Sequence, residues 1–391
     1  MQQGQHTDPK EISSCIKAKL CGSCAYIGVS YEEQLLKKQK TFNDLMKGID
    51  CDVMPIIGAK DPYNYRNKVH AAFGREKGKV ISGTYAEGSH RIISNDSCII
   101  EDKRASAIIK DIRKLAVDFK LQIYDERNKT GILRRVLVRV AVSTGEILVV
   151  LVNGGTFFPG KKNFIAKLTK MHPEITTVVI NINKRTDSMI LGDKSETVYG
   201  KGFITDELCG LKFRISAQSF YQINHDQTER LYTQGMTFAA LGPKDKVLDA
   251  YCGIGTIGMV AAKIAGEVVG VELNKAAVSD AITNKRANGM KNISFVNADA
   301  TRYIEEAAAA GEKFDVVFLD PPRSGTTIEF IRAVSKLKAK RVVYISCSPD
   351  TLARDLRLFS KNGYKVRSAV PVDMFPWTDS TEAVAWLEAD A

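Results

Sequence analysis

Beyond about residue 205 the sequence alternates between short apolar runs and helical stretches, and no other feature restricts the fold more. The runs are Lys246–Asp249, Glu267–Glu272, Ile293–Val296, Phe314–Asp320 and Arg341–Ser346, with helical patterns such as 275–288 between them. Strands that alternate with helices must pair in parallel, because each crossover returns the chain to the same end of the sheet. The expected fold is therefore a doubly wound α/β domain at the C-terminus. Residues 1–205 have a different texture. Helical spacing at Leu35, Leu36, Phe42, Leu45 and Met46 predicts a helix over 31–47, and 101–119 reads as a second. Strand-like runs at 68–73, 80–85 and 176–182, a hairpin over 133–152 turning at Ser-Thr-Gly, and a helix at 164–171 suggest an α+β domain with antiparallel pairs. The division expected is 1–205 and 206–391.

Charge follows the same division. The chain carries a net +11, and residues 1–205 supply all of it, with 33 Lys and Arg against 22 Asp and Glu. Excess positive charge in one part of a chain suits a polyanion-binding surface. The longest apolar run, Ile147–Val152, is far too short to span a bilayer. Met1–Asp8 lacks the basic and apolar regions of a secretion signal, so a cytoplasmic protein is expected. In that setting eight cysteines point to metal binding or catalysis rather than disulfides.

Three turns carry the chemistry. Asp249-Ala-Tyr251-Cys-Gly253-Ile-Gly255 follows a strand and opens a helix, and its glycines permit close backbone approach to a ligand. This spacing serves dinucleotides and S-adenosylmethionine alike. Glu272, at the end of the next strand, is placed to take ribose hydroxyls. Asp320-Pro-Pro-Arg-Ser324 ends a later strand, and D-P-P turns there favour methyl transfer over hydride transfer. Cys347 ends the following strand, in Ser346-Cys-Ser-Pro349, where a thiolate nucleophile is well placed. Glu382, just before a last apolar strand, is a candidate general base.

Together with Ser219-Phe220-Tyr-Gln222-Ile-Asn224, Thr351-Leu-Ala-Arg-Asp355 and Asp373-Met-Phe-Pro376, these motifs resemble the RNA uracil-5-methyltransferase family over nearly the whole chain. The resemblance implies that Cys347 adds to uracil C6, that C5 takes the methyl of S-adenosylmethionine, and that Glu382 removes the C5 proton. It implies cofactor binding by Gln222, Tyr251, Gly253, Glu272 and Asp320, with Asp320 also facing the uracil as part of the catalytic set. A flipped base would stack on Phe220. The family's His-x-Glu before the last strand is here Ser380-Thr-Glu382, which leaves the histidine's positioning role without an occupant.

Cys15-x5-Cys21-x2-Cys24 with the distant Cys98 offers four thiolates, suited to an iron–sulfur cluster or to zinc. The ribosomal-RNA branch of the family has this spacing, and the resemblance therefore implies a [4Fe-4S] cluster. Only 14 residues precede Cys15, so the small β-barrel RNA-binding domain of many relatives is expected to be missing. RNA contact then falls to the cluster domain, with Arg66 the first choice among basic side chains and Arg134-Arg135 and Lys161-Lys162 behind it. The expectation is a monomeric enzyme making 5-methyluridine in 23S ribosomal RNA. A transfer-RNA methyltransferase and a non-catalytic RNA-binding or ribosome-assembly factor are the alternatives.

Overall fold

The computed structural model describes residues 15–187 and 189–390. The reading of Met1–Asp8 lies outside them. Among the described residues the C-terminal half is built on an eight-stranded sheet. Its order is Asp52–Val53, Tyr364–Val372, Glu382–Ala389, Arg341–Ser346, Val316–Leu319, Lys246–Ala250, Glu267–Glu272 and Ile293–Asn297. The last five strands in that order pair in parallel. Val316–Leu319 and most of Arg341–Ser346 are fully buried, as befits central strands covered by helices on both faces. This is the doubly wound, Rossmann-like architecture expected from the alternation. Glu382–Ala389 runs antiparallel to both of its neighbours, Arg341–Ser346 and Tyr364–Val372.

A seven-stranded sheet forms the N-terminal half, in the order Ile92–Ser94, Lys79–Tyr85, Lys68–Glu76, Leu133–Val140, Ile147–Asn153, Ile175–Ile182 and Lys194–Tyr199. The hairpin at 133–153 is present. The expectation of antiparallel pairs fails at one place: Ile147–Asn153 and Ile175–Ile182 are parallel, because the helix Lys161–Met171 carries the chain back across the sheet. A second hairpin, Phe203–Leu208 with Leu211–Ser216, packs Ile204, Phe213 and Ile215 into a core shared with Leu137 and Val150 on one side and Val247, Val268 and Val316 on the other.

The helix Tyr31–Met46 differs from its sequence reading in an instructive way. Its buried stripe is Tyr31, Gln34, Lys38, Phe42 and Met46, whereas Leu36 is 65% exposed. The polar members Gln34 and Lys38 are buried because they meet the loop 373–382 and not an apolar core. Phe42 and Met46 pack with Leu352 and Phe359 against the catalytic sheet, and Asp52–Val53 joins that sheet's edge. Residues 31–57 thus lie with the C-terminal half of the chain.

Candidate active site

The sheet brings its chemistry to one end. Ser346 pairs with Ala383 in adjacent antiparallel strands. Cys347 and Glu382 are one position further along each strand, on the same side of the last pair. Opposed positions of this kind hold Cβ atoms about 4.5–5.5 Å apart. Leu319 pairs with Tyr344 on the other side, so Asp320 leaves its strand level with Ile345, at the same end of the sheet as Cys347. Pro349 begins the helix Pro349–Ser360 at a position where its missing N–H costs nothing, which turns the chain sharply after the cysteine.

Cys347, Glu382, Asp320, Arg323, Gln222 and Phe220 line one cavity of about 580 Å³, with Arg66 at its wall. Glu382 is 3% exposed, and burial, then the charge of Asp320, pushes its carboxyl up to about 8 while Arg323 pulls it back. Burial alone pushes Asp320 up to about 7. The half-buried Cys347 thiol is also raised, by burial, Glu382 and Asp320, and is lowered by Arg323. Arg323 is therefore the cation that acts on both Glu382 and Cys347. It stands in the D-P-P-R motif, yet sequence reasoning gave it no role. Phe220 is 70% exposed at the mouth, an open aromatic face.

The glycine loop lies further along the same end of the sheet. Glu272 accepts hydrogen bonds from the Gly253 N–H at 3.1 Å and the Asn274 N–H at 2.7 Å, which ties the loop to the next strand. Gly255 has φ +85°, and a Cβ there would lie 2.6 Å from the Phe295 ring, so only glycine fits. No atom stands within 4 Å of where a Gly253 Cβ would lie, which leaves the loop open to a ligand. Tyr251 holds a left-handed φ of +64°, strained for a side chain of its size. Its hydroxyl is 3.3 Å from Thr326 Oγ1, and its ring lies 5.4 Å from that of Phe330. An open loop flanked by Tyr251 and Glu272, beside the buried Asp320, fits S-adenosylmethionine.

The loop 373–382 places Glu382, and helix Tyr31–Met46 holds the loop. Lys38 Nζ donates to Asp373 Oδ1 at 2.6 Å and to the carbonyls of Phe375 and Ser380 at 3.2 and 2.8 Å. Tyr31 and Gln34 donate to Asp373 Oδ2 at 2.7 and 3.0 Å. Ser380 stands where the family's histidine was expected, and its carbonyl is anchored by Lys38. The motif Tyr31-x-x-Gln34-Leu-x-x-Lys38 stands out in the sequence, but sequence reasoning gave its lysine no role, because nothing local names the buried carboxylate it meets.

Cys15, Cys21, Cys24 and Cys98 line a second cavity, of about 90 Å³. Burial, then the neighbouring Cys98, Cys21 and Cys15, pushes the Cys24 thiol up to about 12. Among the described residues, however, no three Cys, His, Asp or Glu side chains stand in a metal-holding arrangement, so the expected metal set is not seen as a formed site. Ser23, Arg66 and Thr378 line both cavities. Of the other basic candidates, Arg134 is spent on Glu126 at 2.8 Å and on two carbonyls, and Lys161 pairs with Glu196.

Residues 30–390 match the family model described as tRNA (Uracil-5-)-methyltransferase. The chain belongs to the RNA uracil-5-methyltransferase family. It is 42% identical over 372 residues to an uncharacterized RNA methyltransferase of Halalkalibacterium halodurans, covering 94% of this chain and 81% of that one. It is 40% identical over 380 residues to another of Caldanaerobacter subterraneus, covering 96% and 83%. The solved structure of Pyrococcus abyssi tRNA (uracil-54, C5)-methyltransferase with S-adenosyl-L-homocysteine superposes with TM-score 0.77 at 25% identity, over 95% of this chain and 86% of that one. An S-adenosylmethionine-dependent methyltransferase acting on RNA is thereby established. No helix among the described residues of this methyltransferase is long and apolar enough to cross a membrane.

Proposed function

We propose that the enzyme methylates C5 of a uridine in 23S ribosomal RNA, with Cys347 as nucleophile and Glu382 as base. The observation that carries this is the placement of Cys347 and Glu382 at the ends of paired strands, opening into one cavity. The Cys347 thiolate adds to C6 of the flipped base and pushes electron density onto C5 and the C4 carbonyl. Gln222, Tyr251, Gly253, Glu272 and Asp320 would hold S-adenosylmethionine, which would supply an electrophilic methyl to C5, its S–CH3 bond breaking to leave S-adenosylhomocysteine. Glu382 then takes the C5 proton, the C5–C6 double bond re-forms and the thiolate leaves. A carboxyl raised by burial is a stronger base than an exposed one, which suits removal of a carbon-bound proton. Arg323 favours the thiolate, and Phe220 offers the stacking face.

The choice of 23S ribosomal RNA rests on the four cysteines. They face one cavity, and Cys98, Cys21 and Cys15 add to burial in raising the Cys24 thiol, as closely set thiols do; we assign them a [4Fe-4S] cluster that shapes the wall at Arg66, with zinc the alternative. Such a centre would hold the segment 15–24 against the sheet. The likeness to a transfer-RNA enzyme supports the second reading, in which the target uridine lies in transfer RNA. Mass-spectrometric mapping of 5-methyluridine in both RNAs, from cells with and without the gene, separates them. Loss at a 23S uridine supports the first reading, and loss only in transfer RNA replaces it with the second. Loss nowhere ends both and favours a non-catalytic RNA-binding factor. Iron, acid-labile sulfide and zinc content of anaerobically purified protein decides the centre.

A further inference from the structure

A third cleft, of about 970 Å³, opens at the far end of the strand Lys68–Glu76, well away from Cys347. Tyr85 and Tyr124 form part of its lining, and Arg75, Arg91 and Arg127 stand around it. Of its carboxylates, Glu126 holds Arg134, Asp125 accepts the backbone N–H groups of Arg127 and Asn128, and Glu76 stands at the rim beside Arg75. The guanidinium groups of Arg91 and Arg127, both on exposed residues, have no hydrogen-bond or ion-pair partner among the described residues.

Beneath Tyr85 the sheet presents a row of buried cations. Arg135 is 8% exposed, its guanidinium lies 5.6 Å from the Tyr85 ring centroid, and its Nε has no partner. Arg139, two strand turns away on the same face, is 3% exposed and its Nε is likewise unpartnered. Lys68 pairs opposite Arg139 in the next strand, and burial together with Arg139 and Arg66 pulls its ammonium down to about 8. Glu101 lies against Arg66, and the other like charges of this row, with no carboxylate to match them, are stabilised by an anion. The row begins at Arg66, in the wall of the catalytic cavity, and ends at the cleft. Eight residues of extended chain, Arg66 to Gly74, span about 26 Å at roughly 3.3 Å each.

We infer that this cleft is a second RNA site, holding unpaired nucleotides of the same strand whose target uridine enters the catalytic cavity, with the row Arg66, Lys68, Arg135 and Arg139 attracting the phosphodiesters between them. The inference rests on the RNA-methyltransferase reading of the catalytic cavity. Tyr85 supplies a stacking face, which accepts any base, and Arg91 and Arg127 supply phosphate contacts.

Fluorescence anisotropy with single-stranded oligouridylates of about 4 and about 16 nucleotides tests it, since only the longer spans both sites. Wild-type protein is expected to bind the long probe at least about tenfold tighter. Arg91→Ala/Arg127→Ala is expected to remove that advantage, to leave the short probe within about twofold, and to flatten the salt slope by about 1.4, two contacts at ~0.7 each. Tyr85→Ala should weaken the long probe about tenfold, and Tyr85→Phe should not. Equal affinity of wild type for both probes, or long-probe binding unaffected in the arginine variant, overturns the inference while 5-methyluridine formation on RNA from gene-deleted cells still supports the catalytic reading. Cleft-dependent binding with no 5-methyluridine formed strikes the catalytic reading instead and leaves the cleft as an RNA site.

Discussion

Replacing Lys38 by Met should release the loop that carries the proposed base. The ammonium and its partner Asp373 are 1% and 0% exposed, so solvent cannot screen the loss. The substitution leaves a buried carboxylate with only the neutral donors of Tyr31 and Gln34, and strips the carbonyls of Phe375 and Ser380 of a donor. Breaking a buried pair from one side costs about 3–5 kcal/mol. At ~1.4 kcal/mol per decade, a value near 4 raises the open population of the loop by about three decades. Trp377 is fully buried inside this loop, its ring 5.7 Å from Tyr31 and 5.3 Å from Tyr63, so its fluorescence reports the opening during urea titration. Methyl transfer should fall on the order of 10²-fold, as for a misplacement of about 1 Å in a reacting group. Lys38→Met/Asp373→Asn removes both charges and should recover part of the stability. A Lys38→Met cost below about 1 kcal/mol, or a double variant whose cost is the sum of the two singles, would show that the pair does not hold the loop.

Glu382→Gln keeps the shape and removes the base, so the methylated adduct on Cys347 should accumulate as an RNA–protein band stable in denaturing gels, with turnover down by about 10²–10⁴; turnover without such a band would place the base elsewhere. The carboxyls of Glu382, Asp249 and Asp320, near 8, 8 and 7, are all raised above their ordinary values of 4.5, 3.8 and 3.8. The folded chain therefore binds more protons than the unfolded one between about pH 4 and 8, and stability of the ligand-free enzyme falls as pH rises through that window. Thermal melts at pH 6 and 8.5 check this, and Asp320→Asn/Glu382→Gln should flatten the difference. Gly255→Ala drives a methyl into Phe295 at an unfavourable φ, and should lower both the melting temperature and the heat of S-adenosylmethionine binding in calorimetry.

The catalytic sheet was legible because its central strands are buried on both faces and so read as unbroken apolar runs. Cys347, Asp320 and Glu382 were legible because each ends one of those strands or begins the last, where this fold gathers its chemistry. What stayed hidden is what depends on the third dimension. Lys38 had no readable role, since nothing local says that a carboxylate 335 positions later will bury it. Leu36 looked buried, since helical spacing does not say which face meets the protein. The parallel pair in the N-terminal sheet was missed because a hairpin beside it suggested another. Arg135 and Arg139, each with an unpartnered Nε, look like any strand charges until their neighbours are seen to be cations too.

The order of strands in the catalytic sheet also governs when the enzyme can exist. Glu382–Ala389 is the last strand in the sequence, yet it inserts between Arg341–Ser346 and Tyr364–Val372 and does not extend an edge. Until residue 389 has left the ribosome, those two strands lack their common partner, and each exposes an unpaired row of backbone groups. The earlier parallel strands can fold as the chain emerges, but the gap closes only at the end. A nascent or clipped chain without this strand therefore carries Cys347 at an open sheet edge with no carboxylate opposite, exposed to pairing with other chains.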